Sequence, residues 1–275
     1  MYDAGSGGMA ENRDSVANTL AMAAGVSLVC SILVATASVV LKSRQEANEA
    51  SFRQQIVLDV AGVYTPGKDI GEQFAAIDAR LVDLASGDYV TTINADDFDA
   101  LAASNDKALG IAIPAELDIA GLRRRAIYAP VYLVKEDGET RQIILPVYGS
   151  GLWSTMYGYL ALAPDGRTIR GLRFYQHAET PGLGDQVDRA EWLAKWPGKQ
   201  VFDEQGKVRI EVVRGQAGVG DDAVYQVDGM SGATLTGRGV SKLLQYWMGP
   251  HAFGPYLGRL DDKANGNDGT SQSTD

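Results

Sequence analysis

The chain has 275 residues, with 25 Lys and Arg against 35 Asp and Glu, a net charge of −10. An acidic chain without a basic stripe is a poor partner for nucleic acid. A single cysteine, Cys30, excludes an internal disulfide or a cysteine-built metal cluster, and two histidines without paired spacing, His177 and His251, leave no histidine-built metal site.

In chain order, residues 1–14 are Gly-rich and polar and are expected to be disordered. Ser15 to Leu41 carries no charge, and the run exceeds the ~20 residues that span a bilayer. It is too long for the apolar core of a signal peptide, and Glu11, Arg13 and Asp14 precede it instead of a basic cluster. Many of its positions are Ala, Ser, Gly or Thr, which suits close packing among membrane helices. We therefore expect a transmembrane helix over 15–41. Lys42, Arg44 and Arg53 follow the span and only Arg13 and the amino terminus precede it, so the positive-inside rule places the rest of the chain in the cytoplasm by a small margin.

Lys42 to Val63 reads as a continuation of the helix, with Phe52, Ile56 and Val60 at intervals of four, until Tyr64-Thr65-Pro66-Gly67 breaks it. Asp69 with Glu72 resembles a capping-box start. Ile70, Phe74, Ile77, Leu81 and Leu84 then mark one face of an amphipathic helix that Gly87 ends. The stretch 42–124 is thus expected to be a helical N-terminal lobe.

From Ile127 the pattern changes to strands. Tyr128 to Lys135 and Thr140 to Tyr148 flank a Glu-Asp-Gly turn, Thr155 to Ala163 and Thr168 to Tyr175 flank Pro-Asp-Gly, and Val201 to Phe202 and Val208 to Val213 flank Gln205-Gly206. These read as antiparallel hairpins, with one short helix around Val187 to Trp196. Strands and helices without regular βαβ alternation predict an α+β fold: one N-terminal transmembrane helix, then a soluble domain of antiparallel hairpins with helices over 125–260. Residues 261–275 form a polar tail, expected to be disordered.

Two loops stand out before the last helix. Leu145 to Ser154 joins two strands through Gly149 and Gly151, followed by Leu152 and Trp153, an apolar pair that can wall a flat ligand or pack into the core. Glu179-Thr180-Pro181-Gly182-Leu183-Gly184 is a Pro-Gly turn with a further glycine, just after His177, which reads as a packed or surface histidine.

The run Asp228-Gly-Met-Ser-Gly-Ala-Thr-Leu-Thr-Gly-Arg-Gly-Val240 organises the rest. Val240, Leu243, Leu244, Trp247 and Met248 follow at helical spacing, so Thr234 lies near a helix start. Unpaired amides and the positive end of the helix dipole suit a phosphate there, small residues allow close approach, and the Thr234 hydroxyl is the nearest nucleophile. The alternative is an ordinary Ser N-cap with a Gly-rich lead-in.

Asp228, Ser231, Gly232, Ala233 and Thr234 match the D-x-x-S-G-A-T flavinylation motif, and the chain resembles the FMN-binding domain family. The G-x-G-L-W run with Tyr157-Gly158-Tyr159, and E-T-P-G-L-G, resemble the same family in the same order. The resemblance covers about 125–248 and the membrane span. It implies FMN held covalently, as a phosphoester on Thr234, by a dedicated flavin transferase that uses FAD. It implies that Ser231, Gly232 and Ala233 surround the phosphate, and that Leu152, Trp153, Glu179, Thr180, Gly182, Leu183 and Gly184 lie by the isoalloxazine ring. Asp228 is either read by the transferase or stabilises the turn. Within this family the stretch 64–115 makes the chain more similar to the C-subunit family of the sodium-translocating NADH:quinone reductase than to the G-subunit family of the Rnf electron-transport complex. That resemblance implies an electron relay that works with other membrane and soluble subunits, in a bacterial inner membrane, with its soluble domain on the periplasmic side. It implies no catalytic residue and no metal in this chain alone. A flavin enzyme that binds the cofactor non-covalently, and a cofactor-free membrane adaptor, are the other readings.

Overall fold

The structure is a computed structural model and describes residues 16–264. The disorder expected for 1–14, the first residue of the expected span and the residues after 264 lie outside that range. The chain divides into two compact units, one ending at Phe52 and one running from Arg53.

Helix α1, Val16–Val60, runs through both. Within the first unit Val16–Lys42 is a 27-residue stretch of mean hydropathy 2.3, long and apolar enough to cross a membrane, and its side chains are exposed. The second unit begins on the last turns of α1. Ile56, Val57 and Ala61 are buried against Ile144, Tyr159 and Ala161.

After α1 the chain turns at 61–69. Asp69 caps α2 (Ile70–Phe74) by accepting from the Glu72 N–H at 2.9 Å. The helix expected over 70–84 stops there. Ile77–Asp83 is instead strand β1, which pairs antiparallel with the short β2 (Tyr89–Val90) and along its whole length with β5 (Tyr128–Glu136). The spacing of Ile77 and Leu81 is even, so it satisfies a period of 2 as well as 3.6, and pairing to β5 decides the state. The "helical lobe" over 42–124 is therefore corrected. It also contributes α3 (Ala100–Asn105), β3 (Gly110–Ala112) and β4 (Arg124–Ala126), and its β1 joins the same sheet as the strands after 125.

That sheet has six strands in the order β2-β1-β5-β6-β7-β8, with β6 Glu139–Ser150, β7 Thr155–Leu162 and β8 Ile169–Gln176, every neighbouring pair antiparallel. The β5–β6 turn has Asp137 at φ 53° and Gly138 at φ 83°, the geometry of a type I′ hairpin. Short pieces follow: a 3-10 turn (Gly184–Asp188), α4 (Ala190–Leu193), β9 (Glu211–Val212) and β10 (Gln226–Val227). The third expected hairpin is corrected. Phe202 and Val208 make one antiparallel bridge, and β9 pairs parallel with β10.

Helices α5 (Thr234–Trp247) and α6 (Gly254–Ala264) close the chain. The start of the expected polar tail, 261–264, is thus helical. Pro255 hides α6 from a sequence reading, yet at a first turn it breaks no helix hydrogen bond. Leu243, Leu244 and Trp247 of α5, with Phe253 and Leu257, join Ile143, Leu145, Val147, Leu160, Leu172 and Phe174 in the main core. Trp247 donates its Nε1–H to the Tyr148 carbonyl at 2.6 Å. Each such fully buried large side chain contributes roughly 1.5–3 kcal/mol. With α5 on one face of the sheet and the end of α1 on the other, β6 and β7 are buried on both.

Candidate functional site

Thr234 is the first residue of α5. Ala233 precedes it as cap with φ −126° and ψ 42°, and no side chain caps the helix, so Ser231 is not an N-cap. The first amides of α5 accordingly lack intrahelical partners. Gly232 has φ 75°, which a side chain would strain, and a Cβ there would lie 2.8 Å from Leu183 Cδ2. Thr234, Ser231 and Gly232 are exposed, and Ala233 is buried.

The three loops singled out in the sequence converge here. Glu179, buried at 5% exposure, joins them. Its Oε1 accepts from the Leu152 N–H at 2.8 Å and the Trp153 N–H at 3.2 Å, and its Oε2 accepts from the Thr236 hydroxyl, two residues into α5. Thr180 accepts from Trp153 Nε1 at 2.9 Å. Gln186 Nε2 donates to both the Leu183 carbonyl (2.7 Å) and the Ser231 carbonyl (3.0 Å), tying the Pro-Gly loop to the Thr234 loop. Around this frame Leu152, Trp153, Leu183 and Leu235 stay exposed, Trp153 at 70%. Exposed apolar side chains held in one place by polar bonds make a shelf for a flat apolar ligand.

A small recess of about 70 Å³ opens beside Thr234, lined among others by Gly215, Gly229, Met230 and two residues the sequence reading missed, Arg214 and Arg238. Arg238 lies four residues after Thr234 on α5, a spacing legible in the sequence once the helix start is accepted. Arg214 comes from the segment after β9, and nothing local announces it. The arginines bring positive charge to the side of a hydroxyl, the donor set a phosphate needs.

Asp228 does not line that recess. Its Oδ1 accepts from the Ala217 N–H at 2.7 Å and its Oδ2 from Lys195 Nζ at 2.7 Å, while its carbonyl accepts from Trp192 Nε1 at 2.9 Å. The Ala217 amide first, then Lys195, holds the carboxyl below the usual carboxylate range. Its bonds tie the Thr234 loop to α4 and to the segment after β9. His177 Nδ1 accepts from the Glu179 N–H at 3.2 Å, which leaves the proton on Nε2, and that nitrogen donates to Asp188 Oδ2 at 2.6 Å. This bond closes the Pro-Gly loop across its ends.

The sequence matches the FMN-binding domain family over residues 151–249, a segment that holds the Glu179–Gly184 and Asp228–Val240 loops and the Gly151–Ser154 end of the first. It is 44% identical over 259 residues to the C subunit of the Na(+)-translocating NADH-quinone reductase of Vibrio parahaemolyticus, covering 92% of this chain and 98% of that one. Against the corresponding C subunit of Neisseria meningitidis serogroup B the identity is 46% over 251 residues, with 90% and 96% covered. The crystal structure of Shewanella oneidensis NqrC superposes with a TM-score of 0.72 at 38% identity, over 79% of this chain and 99% of that one.

Proposed function

The chain belongs to the C-subunit family of the Na(+)-translocating NADH-quinone reductase, and from that premise we propose that it is the electron-relay subunit of such a complex, with FMN joined through a phosphoester to Thr234. The carrying observation is the convergence of three separate loops, through Glu179 and Gln186, on one exposed hydroxyl beside an apolar shelf.

The residues present fit the group. Leu152, Trp153 and Leu183 offer an apolar wall, the backbone of Gly182 to Gly184 lies beside it, and Arg214 and Arg238 stand on the phosphate side of Thr234. Ser231, Gly232 and Ala233 allow the backbone to approach the phosphate. Bound FMN supplies the capacity to take up and pass on electrons; the chain's residues place it and tune its surroundings. Among the described residues no base is hydrogen-bonded to the Thr234 hydroxyl, which supports attachment by a separate flavin transferase that reads the exposed motif. Asp228 serves that reading indirectly, by holding the motif's shape. NADH oxidation and quinone reduction belong to the assembled complex, which includes the other membrane and soluble subunits. Its place is a bacterial inner membrane, crossed once by α1, with the FMN domain on the periplasmic side.

In full-length chain made in a host with the transferase, Thr234→Ala should remove both the flavin mass increment and the flavin fluorescence of the denatured band. In the assembled complex the same change should leave electron transfer from NADH to an artificial acceptor intact and stop quinone reduction. A denatured Thr234→Ala band that still fluoresces, or normal quinone reduction, overturns the assignment.

A further inference from the structure

We propose that Glu179 is a positioning residue with an electrostatic effect: its carboxylate registers the three loops of the shelf against one another and lowers the reduction potential of the flavin held there. The inference rests on the FMN reading above and assigns a role within that site.

A carboxylate is rarely buried unless its oxygens are satisfied. Glu179 meets that condition with neutral donors, two backbone amides and one hydroxyl. Two glycines on different loops make room for it. A Cβ at Gly151 would lie 2.4 Å from Glu179 Oε1, and one at Gly184 would lie 2.9 Å from Glu179 Oε2 and 2.8 Å from Thr236 Oγ1. The Leu152–Trp153 segment is thus placed by hydrogen bonds to this side chain, the Leu183–Gly184 segment by steric fit against it, and the Thr234 helix by Thr236. The Glu179 N–H is held in turn by His177, which Asp188 anchors. Leu152, Trp153 and Leu183 are the side chains that wall the ring, so one carboxylate sets the shape of the wall.

The charge has a second consequence. Neutral donors polarise toward the carboxylate but leave its net charge in place. Reduction adds an electron to the ring, and a fixed negative charge on the buried Glu179 behind the wall opposes that addition. Glu179 therefore makes the flavin harder to reduce, and the Thr236 hydroxyl partly offsets the effect by drawing on the charge.

The test uses full-length chain purified in detergent from a host with the transferase. Intact mass of the unchanged protein first establishes that FMN is attached; an unflavinylated Thr234 removes the parent reading and this inference together. Glu179→Gln keeps the shape and one acceptor oxygen but removes the charge. It should carry the same flavin mass and show a midpoint potential shifted to more positive values. Thr236→Val removes a donor and keeps the charge, so its midpoint should shift to more negative values. A purely structural role would disturb the wall in both variants without opposite signs. Glu179→Ala, which removes both acceptors, should lower the visible circular dichroism of the bound flavin several-fold as the wall loses its register. Shifts of the same sign, no shift in either variant, or an unchanged flavin dichroism in Glu179→Ala overturns the proposal. Should the Glu179 variants fail to fold, the sign of the Thr236→Val shift decides it alone.

Discussion

Asp228 shows how a motif residue can be seen in the chain while its hydrogen-bond partners cannot. Its identity and spacing to Thr234 are visible in the chain, but its partners Ala217 and Lys195 are 11 and 33 positions away. Asp228→Asn keeps an oxygen to accept from the Ala217 N–H but removes its charge, and should cost about 1 kcal/mol through the weakened bond. Lys195 is 41% exposed, so its attraction is screened and adds a few tenths at most. The folded carboxyl is held below its usual range, so its stabilisation is complete above that range and is lost as pH falls through the lowered value. The gap in melting temperature between the two proteins should stay constant from neutral pH down to about pH 5 and close below about pH 4; a gap that persists in acid would remove the ionic explanation. Glu179 stands out in the sequence only as part of a loop that resembles one family; as the link between loops it was not legible, because the Leu152, Trp153 and Thr236 groups that meet it are 27, 26 and 57 residues distant.

Among the elements, α5 was the most legible, since its apolar positions repeat at helical spacing and its start follows the small-residue run. Its glycines were legible as a motif only. In the fold Gly239 lets α5 close on the shelf loop: a Cβ there would lie 2.7 Å from the Ser150 carbonyl oxygen and 3.2 Å from Gly151 Cα. Forcing backbone apart costs about 1–3 kcal/mol, and alanine recovers about 1 kcal/mol in helix propensity. Gly239→Ala should therefore destabilise by up to about 2 kcal/mol in chemical denaturation, with Leu152 and Trp153 displaced; a gain in stability would show that the contact relaxes freely. β1 was the least legible element, because Ile77 and Leu81 fit both periods and only the β5 partner distinguishes them.

For the molecule as a whole, α1 carries two jobs along one helix. Val16–Lys42 has the length and hydropathy of a span, and Ile56, Val57 and Ala61 cover one face of the sheet. A chain beginning at Ser43 should be soluble without detergent and keep its cooperative melt. A chain beginning at Gly62 uncovers Ile144, Tyr159 and Ala161 and loses the buried Ile56, Val57 and Leu58, worth roughly 1.5–3 kcal/mol each; it should aggregate. Equal behaviour of the two chains would mean that the end of α1 adds nothing to the core. Sidedness is set by competing signals, since Lys42, Arg44 and Arg53 favour the cytoplasm while the periplasmic reading follows the family resemblance. A reporter fused after Asp275 and active only outside the cytoplasm supports the periplasmic reading, and activity of a cytoplasm-only reporter reverses it.

The sequence alone determined the features that depend on neighbours in the chain: a charge-free run long enough for a membrane, the hairpins from Tyr128 to Tyr175 with their Gly turns, the start of α5, and three loops of one family in order. Only the tertiary structure decided the features that depend on distant partners. These are β1 as a strand paired to β5, the parallel β9–β10 contact, the capture of Leu152, Trp153 and Thr236 by Glu179, and the arrival of Arg214 beside Thr234. The physical reason is the same in each case. Helix periodicity, turns and short motifs act within a few residues, whereas the choice between equal local patterns, and the satisfaction of a buried charge, is made by groups that meet only when the sheet closes.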